Sequence, residues 1–163
     1  MLKDYQMQLL GFLEQLEMEI SNLYKLFAEQ FPGHQDLWAE MSREELQHAE
    51  YVRTLKAFAL SGHVTFDEKM TKTYTIRSII DDIRDKYKKT ENHQYSVVNA
   101  LSFSLSLEQS IIEHKFYNYF SSNDPGAVLL INNIREETSA HESQVKKALG
   151  WFAEHLVPEM PGD

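Results

Sequence analysis

Hydrophobic side chains recur at three- and four-residue steps along most of the chain, which is the spacing of one face of an α-helix. Four long runs carry this pattern, at residues 5–31, 35–60, 94–121 and about 125–156. Pro32-Gly33 ends the first run, and Gly62 is a suitable cap after the second. The periodicity therefore predicts four long amphipathic helices and no sheet.

Only the connection between the second and third runs is long. Residues 63–73 are mostly polar, and a shorter amphipathic helix follows them, marked by Ile76, Ile79, Ile80, Ile83 and Tyr87. Short connections make the helices on either side of them antiparallel neighbours, so the chain reads as two hairpins joined by a crossover. We expect an all-α four-helix bundle with one long crossover carrying a short extra helix, in a single domain over residues 1–163.

The two predicted hairpins match each other at an offset of 93 residues. Tyr24 then falls on Tyr117, and His48 falls on His141, with no insertion between them. Generic amphipathic similarity is the alternative, but it matches apolar positions more readily than a Tyr and a His together. We interpret the match as a duplicated hairpin with a pseudo-twofold axis.

The composition limits which partners and which metal ligands the protein can have. The net charge of −9 disfavours nucleic acid as a partner, and no apolar run reaches the roughly 18 residues that a membrane-spanning helix needs. The N-terminal residues lack a signal-peptide pattern, so a cytoplasmic location is expected. The chain contains no Cys, which excludes thiolate ligands and leaves Glu, Asp and His to hold any metal.

The most specific chemical pattern lies in the first hairpin. Glu45 and His48 form an E-x-x-H pair that shares one helix face and can meet one ion. Glu17 lies on the apolar stripe of the first helix, where a carboxylate needs a cation or a hydrogen-bonding partner such as Tyr24. A core His can also be a hydrogen-bonded structural residue, but the equivalence of His48 and His141 favours metal ligands.

A Glu, a Tyr seven residues later and an E-x-x-H on the next helix resemble the first half-site of the ferritin, bacterioferritin and rubrerythrin superfamily, and the sequence around them looks most like the rubrerythrin branch. The resemblance implies a ferritin-like fold with a carboxylate-bridged di-iron centre that reduces peroxide or oxidises ferrous iron. It also implies a homodimer. Full rubrerythrins carry a rubredoxin-like centre held by four Cys, so this chain would need an external electron donor.

The second hairpin departs from that family pattern. At the offset of 93, Ser110 takes the place of Glu17 and Thr138 takes the place of Glu45, so that only His141 is kept. Glu108 lies about 200° around the helix from Ser110 and is a poorer candidate. The second half-site is therefore predicted to be degenerate, with a single metal ion in place of a symmetric di-iron centre and weak or absent peroxidase or ferroxidase turnover.

Two nearby acids could compensate for the missing carboxylates. Glu113 falls where rubrerythrins carry an additional Glu ligand, and Glu137 directly precedes Thr138; either could instead be exposed to solvent. The predicted metal ligands are Glu17, Glu45, His48, Glu113 and His141. Carboxylate and imidazole suit iron, and also manganese or zinc. The alternative function is a ferritin-like scaffold that has lost redox chemistry and serves as a binding or assembly module.

Overall fold

The computed structural model describes residues 3–66, 73–114 and 116–155, and over these residues the fold is an all-α bundle of five helices. The helices are α1 (Asp4–Gln30), α2 (Gln35–Leu60), α3 (Thr73–Glu91), α4 (Val97–His114) and α5 (Pro125–His155). Two 3-10 helices span Pro32–His34 and Phe116–Tyr119, and two short strands, β1 (Thr65–Phe66) and β2 (Phe120–Ser121), complete the elements. No described helix is long and apolar enough to cross a membrane.

The bundle is built from the two predicted hairpins. α1 packs along α2, α4 packs along α5, and α2 also contacts α5, so that the two hairpins face each other. The apolar stripe of α1 is the centre of the core, and its buried members recur at three- and four-residue steps: Leu9, Leu13, Leu16, Ile20, Leu23 and Phe27. Glu17 and Tyr24 are buried on the same helix, which places a carboxylate and a phenol inside the bundle.

The predicted extra helix in the crossover is confirmed as α3. It packs against α1, and its buried positions Ile76, Ile80 and Ile83 lie on one face, as the sequence periodicity indicated. Arg84 adds an ion pair with Glu19 of α1 at 2.7 Å. This helix packs along α1, and its buried isoleucines belong to the same hydrophobic core.

The helix boundaries follow local sequence signals. α2 ends near Gly62, whose φ of 82° is the left-handed conformation that glycine adopts without strain. α5 begins at Pro125, and the carboxylate of Asp124 accepts hydrogen bonds from the backbone N–H groups of Gly126 and Ala127 at 2.8 and 3.2 Å. The cap at Gly62 agrees with the sequence prediction.

The third predicted helix, over residues 94–121, is wrong at its C-terminal end. α4 ends at His114, and after the second 3-10 helix the chain forms β2, which pairs antiparallel with β1. The expectation of no sheet is therefore also wrong for two residues on each side. Thr65 and Ser121 are paired in this ladder, and their hydroxyl oxygens lie 2.8 Å apart, so hydrogen bonding holds the crossover against the end of the second hairpin.

Candidate metal centre

Five buried ionisable side chains meet between the hairpins. α1 supplies Glu17, α2 supplies Glu45 and His48, α4 supplies Glu108, and α5 supplies His141; none is more than 1% exposed. They form two groups, Glu17–Glu45–His48 and Glu45–Glu108–His141, and in each group one ligand atom from every residue lies within 4.8 Å of the others. Buried Glu and His groups that could hold a metal ion are thus present, and Glu45 belongs to both.

Glu45 lies between the two imidazoles. Its Oε2 is 2.9 Å from Nδ1 of His48, and its Oε1 is 2.8 Å from Nδ1 of His141. Oε2 of Glu108 is 3.8 Å from the same Nδ1 of His141, and the two imidazole rings are 5.9 Å apart between centroids. One carboxylate therefore presents one oxygen to each half of the site.

The outer nitrogen of each imidazole contacts a carboxylate of the opposite hairpin. Nε2 of His48 is 2.6 Å from Oε2 of Glu137, and Nε2 of His141 is 2.6 Å from Oε2 of Glu44. These two glutamates are about one-third exposed, at 35% and 33%. A carboxylate on the outer nitrogen orients the ring and keeps the inner nitrogen available, which is the usual arrangement behind a metal-binding His.

The two buried tyrosines also connect the hairpins, because each donates a hydrogen bond to a glutamate of the opposite hairpin. Tyr24 donates to Oε1 of Glu108 at 2.5 Å, and Tyr117 donates to Oε1 of Glu17. Each phenol thus fixes one oxygen of a carboxylate that comes from the other hairpin. The pseudo-twofold relation inferred from the sequence is visible in these pairs as well as in the two imidazole contacts.

Burial and mutual charge set the protonation of the cluster. Burial, and then the charge of Glu45, raise the pKa of Glu17 and of Glu108. Burial alone would also raise the pKa of Glu45, but the charge of His48 and the close contacts of both imidazoles hold it well below its usual range. Burial would lower the pKa of His48, but the charge and hydrogen bond of Glu45 raise it to about 9.

The pKa of His141 is subject to the same two opposing effects and is raised further than that of His48. Burial would lower its pKa, but its close contacts with the carboxylates of Glu108 and Glu45 raise it to about 12. The cluster therefore keeps Glu45 ionised beside two imidazoles whose pKa values are raised. Without a metal, protons on the imidazoles supply the positive charge.

Three atoms of the cluster are buried without a hydrogen-bond partner among the described residues: Oε1 of Glu45, Oε2 of Glu108 and Nδ1 of His141. Nδ1 of His141 lies 2.8 Å from Oε1 of Glu45 as an ion pair. Buried polar atoms are normally paired, and a cation among these ligand atoms, which lie within 4.8 Å of one another, would give each of them a partner. The residues therefore suit a transition-metal ion held by carboxylate and imidazole.

The structure corrects the prediction for α4. Glu108, which the sequence register ranked as the poorer candidate, lies in the cluster, whereas Ser110 is half-buried and lines a groove between α3 and α4 with Asp81 and Asp85. In a continuous helix, residues nine apart lie about 180° from each other. Glu108 and Tyr117 nevertheless both reach the interior, because α4 ends at His114 before the 3-10 helix begins.

A signal for Glu108 was present in the sequence. Leu101, Ser104, Glu108 and Ile111 recur at three- and four-residue steps, and all four are buried. This stripe belongs to α4 alone and does not depend on the offset of 93. Reading the register from Tyr117 through an unbroken helix pointed to Ser110 instead.

The other predicted positions divide into three outcomes. Glu17 and His48 belong to one group, His141 belongs to the other and Glu45 belongs to both, and their role as metal ligands stays a prediction. Thr138 is buried at the position equivalent to Glu45, but its hydroxyl donates to the carbonyl of Ile134 at 2.8 Å and adds no carboxylate. The side chain of Glu113 lies outside the described part of the structure.

Glu137 answers the question that the sequence left open. It leans toward the cluster and contacts the outer nitrogen of His48, so it does not replace the carboxylate absent at position 138. Glu44 has the equivalent role for His141, and the sequence analysis did not single it out. Only the closing of one hairpin on the other brings these partners together.

Comparisons with known proteins add no assignment: no protein-family model matches the chain, and no curated protein or solved structure matches it. The inference about function therefore depends on the residues and geometry of the site.

Proposed function

We propose that the protein binds two divalent metal ions between its hairpins, in a ferritin-like centre of the rubrerythrin type. One ion is held by Glu17, Glu45 and His48, and the other by Glu45, Glu108 and His141. The observation that carries this proposal is the position of Glu45, which turns one carboxylate oxygen toward each inner imidazole nitrogen, at 2.9 and 2.8 Å. A carboxylate in that position can bridge two ions.

The charge of the inner ligands supports two ions. Three buried carboxylates can balance the charge of divalent cations, which would take the place of the protons that the imidazoles hold without a metal. Glu44 and Glu137 hold the imidazoles with Nδ1 inward, and Tyr24 and Tyr117 hold the outer carboxylates. The protein's own contribution is thus a preorganised and buried set of ligands.

The reaction class we propose is an iron-dependent oxidation or reduction, either peroxide reduction or ferrous-iron oxidation. Iron bound to these ligands would supply one-electron steps, with carboxylate and imidazole as ligands that suit it. Thr138 leaves the site with three inner carboxylates where the family pattern has four, so turnover is expected to be weak. With no Cys in the chain, electrons would come from an external donor.

A second candidate is a scaffold that binds metal, or a partner, without redox turnover. The observation that favours it is the hydroxyl of Thr138, which bonds to its own helix and leaves the site one bridging carboxylate short. The family resemblance also adds the expectation of a homodimer, which light scattering on the purified chain would test.

Anaerobic titration of the metal-free protein with Fe(II) tests the proposal. We expect about two ions per chain, following the ligand count of such centres. Glu45→Gln should abolish binding of both ions, whereas Glu40→Gln, an exposed change on the same helix, should leave both in place. Tight binding without peroxide consumption or iron oxidation would favour the scaffold, and the absence of metal binding would reject the proposal.

A further inference from the structure

A mostly apolar cleft of about 560 Å³ lies between the start of α2 and the end of α5. Leu37 of α2 and Ala148 and Trp151 of α5 line it, together with one charged residue from each helix, Glu40 and Lys147. The side chain of Trp151 is 52% exposed, although an indole gains much from burial. The cleft therefore offers apolar surface from both hairpins to a further group.

The described part of the chain ends beside this cleft. α5 ends at His155, whose imidazole stacks on the indole of Trp151 with the ring centroids 4.3 Å apart. Residues 156–163 follow in the sequence, and eight residues span at most roughly 26–29 Å when extended. The stretch of α5 from Gln144 to Trp151 covers only about 10 Å. The segment is therefore long enough to turn back and follow the cleft.

The composition of residues 156–163 complements the cleft. Three of their side chains are apolar and two are acidic: Leu156, Val157 and Met160, and Glu159 and Asp163. The segment contains no Lys or Arg, and Lys147 in the cleft can pair with a carboxylate. Pro158 disfavours continuation of α5, and a Pro also lowers the conformational entropy that a segment loses when it becomes ordered.

The size of the cleft favours a segment of the same chain over a second copy of the protein. Eight described residues line the cleft, whereas a stable interface between two proteins uses about 20–30 residues from each partner. A segment tethered at His155 is held beside the cleft at an effective concentration on the order of millimolar. A small contact area is therefore sufficient for a tethered segment.

We propose that residues 156–163 fold back and dock in this cleft, with Met160 against the apolar lining of Leu37, Ala148 and Trp151. Lys147 provides a positive charge for Glu159. Because α2 belongs to the first hairpin and α5 to the second, the docked segment fastens the two hairpins together at this end of the bundle. This role does not depend on metal binding.

Disulfide trapping in the full-length chain tests the docking, since the chain contains no Cys of its own. Met160→Cys is combined either with Ala148→Cys, in the cleft, or with Lys146→Cys as the matched control. Lys146 is exposed and lies two residues from Ala148, about 200° around α5, so the two positions are at similar distances from His155. In dilute solution, the within-chain disulfide should form at least about tenfold faster with Ala148→Cys than with Lys146→Cys.

Equal rates at the two positions would overturn the proposal, because a segment that does not dock reaches both alike. Disulfides that join two chains in place of one would also overturn it, and would identify a second copy as the occupant. Circular dichroism establishes that each variant is folded, and mass spectrometry distinguishes the two kinds of disulfide.

Acrylamide quenching of tryptophan fluorescence provides a second test in the chain without added Cys. Trp38 is fully buried, so quenching reports mainly on Trp151. Removing residues 156–163 should expose the indole further and raise the quenching constant, and Trp151→Phe should abolish that difference. An unchanged quenching constant after the deletion would overturn the docking.

Discussion

Thr138→Glu would restore the carboxylate that the second half of the site lacks. Thr138 is 5% exposed, lies one turn before His141 and corresponds to Glu45 in the other hairpin. In the metal-free protein the new side chain is buried close to Glu45 and Glu108, so desolvation and like charge both disfavour its ionised form. Because it can respond by keeping its proton, we expect a loss of about 2–3 kcal/mol in the free energy of unfolding.

Metal binding should reverse that loss. For a chain of this length, 2–3 kcal/mol corresponds to a fall in melting temperature of about 5–10 °C. An ion that binds only the folded state at 100 times its dissociation constant contributes about 2.7 kcal/mol, and a second bridging carboxylate should tighten its binding. The metal-loaded variant is therefore expected to melt at or above the temperature of the metal-loaded parent.

The assay is differential scanning calorimetry of parent and variant with and without Mn²⁺ or Zn²⁺. Ser110→Glu is the matched control, because Ser110 lies on α4 in the groove beside Asp81 and Asp85, outside the cluster. Its change in melting temperature should be the same with and without metal. The reasoning is refuted if metal stabilises Thr138→Glu no more than it stabilises the parent, or if it rescues Ser110→Glu equally.

Three further predictions concern the candidate metal site and the stability of the helices. Glu44→Gln, which removes the charge behind His141, should weaken metal binding by about tenfold or more in a titration. Binding of two ions at pH 7 should release at least about two protons, because the raised pKa values of His48 and His141 leave both imidazoles protonated and only neutral imidazoles bind metal. Affinity should thus fall as pH falls, and calorimetry in buffers of different ionisation enthalpy counts the protons; zero release would contradict the assignment. Gly62→Ala should destabilise the protein by about 1 kcal/mol, because Gly62 has a positive φ. Gly11→Ala should stabilise it by about 0.5–1 kcal/mol, because Gly11 lies within α1 with open space around it. Urea unfolding of both variants should show changes of opposite sign in the free energy of unfolding.

The helices could be predicted from sequence because burial repeats along each of them. The apolar stripe of α1 and the isoleucines of α3 are local patterns, so they can be recognised without knowledge of the neighbouring helices. The first half of the site followed from the same reasoning, since Glu45 and His48 share one turn and Glu17 lies on an apolar stripe. Local periodicity and local spacing were sufficient for these features.

The second half of the candidate site could not be predicted by the same reasoning. The offset of 93 holds for Tyr117 and His141, but the carboxylate is at Glu108 and not at Ser110, because α4 ends before Tyr117 is reached. A break in a helix changes the direction of every side chain beyond it, and the periodic pattern around residues 94–121 gave no sign of one. The contact between Glu44 and His141 joins residues 97 apart and depends on the packing of the two hairpins.

The most direct test of the proposed centre is anomalous diffraction from crystals of the protein loaded with iron, manganese or zinc. We predict two peaks on either side of the Glu45 carboxylate, one about 2.0–2.2 Å from Nδ1 of His48 and the other at the same distance from Nδ1 of His141. The absence of any anomalous peak within coordination distance of Glu45, in crystals of protein exposed to excess metal, would contradict the central claim.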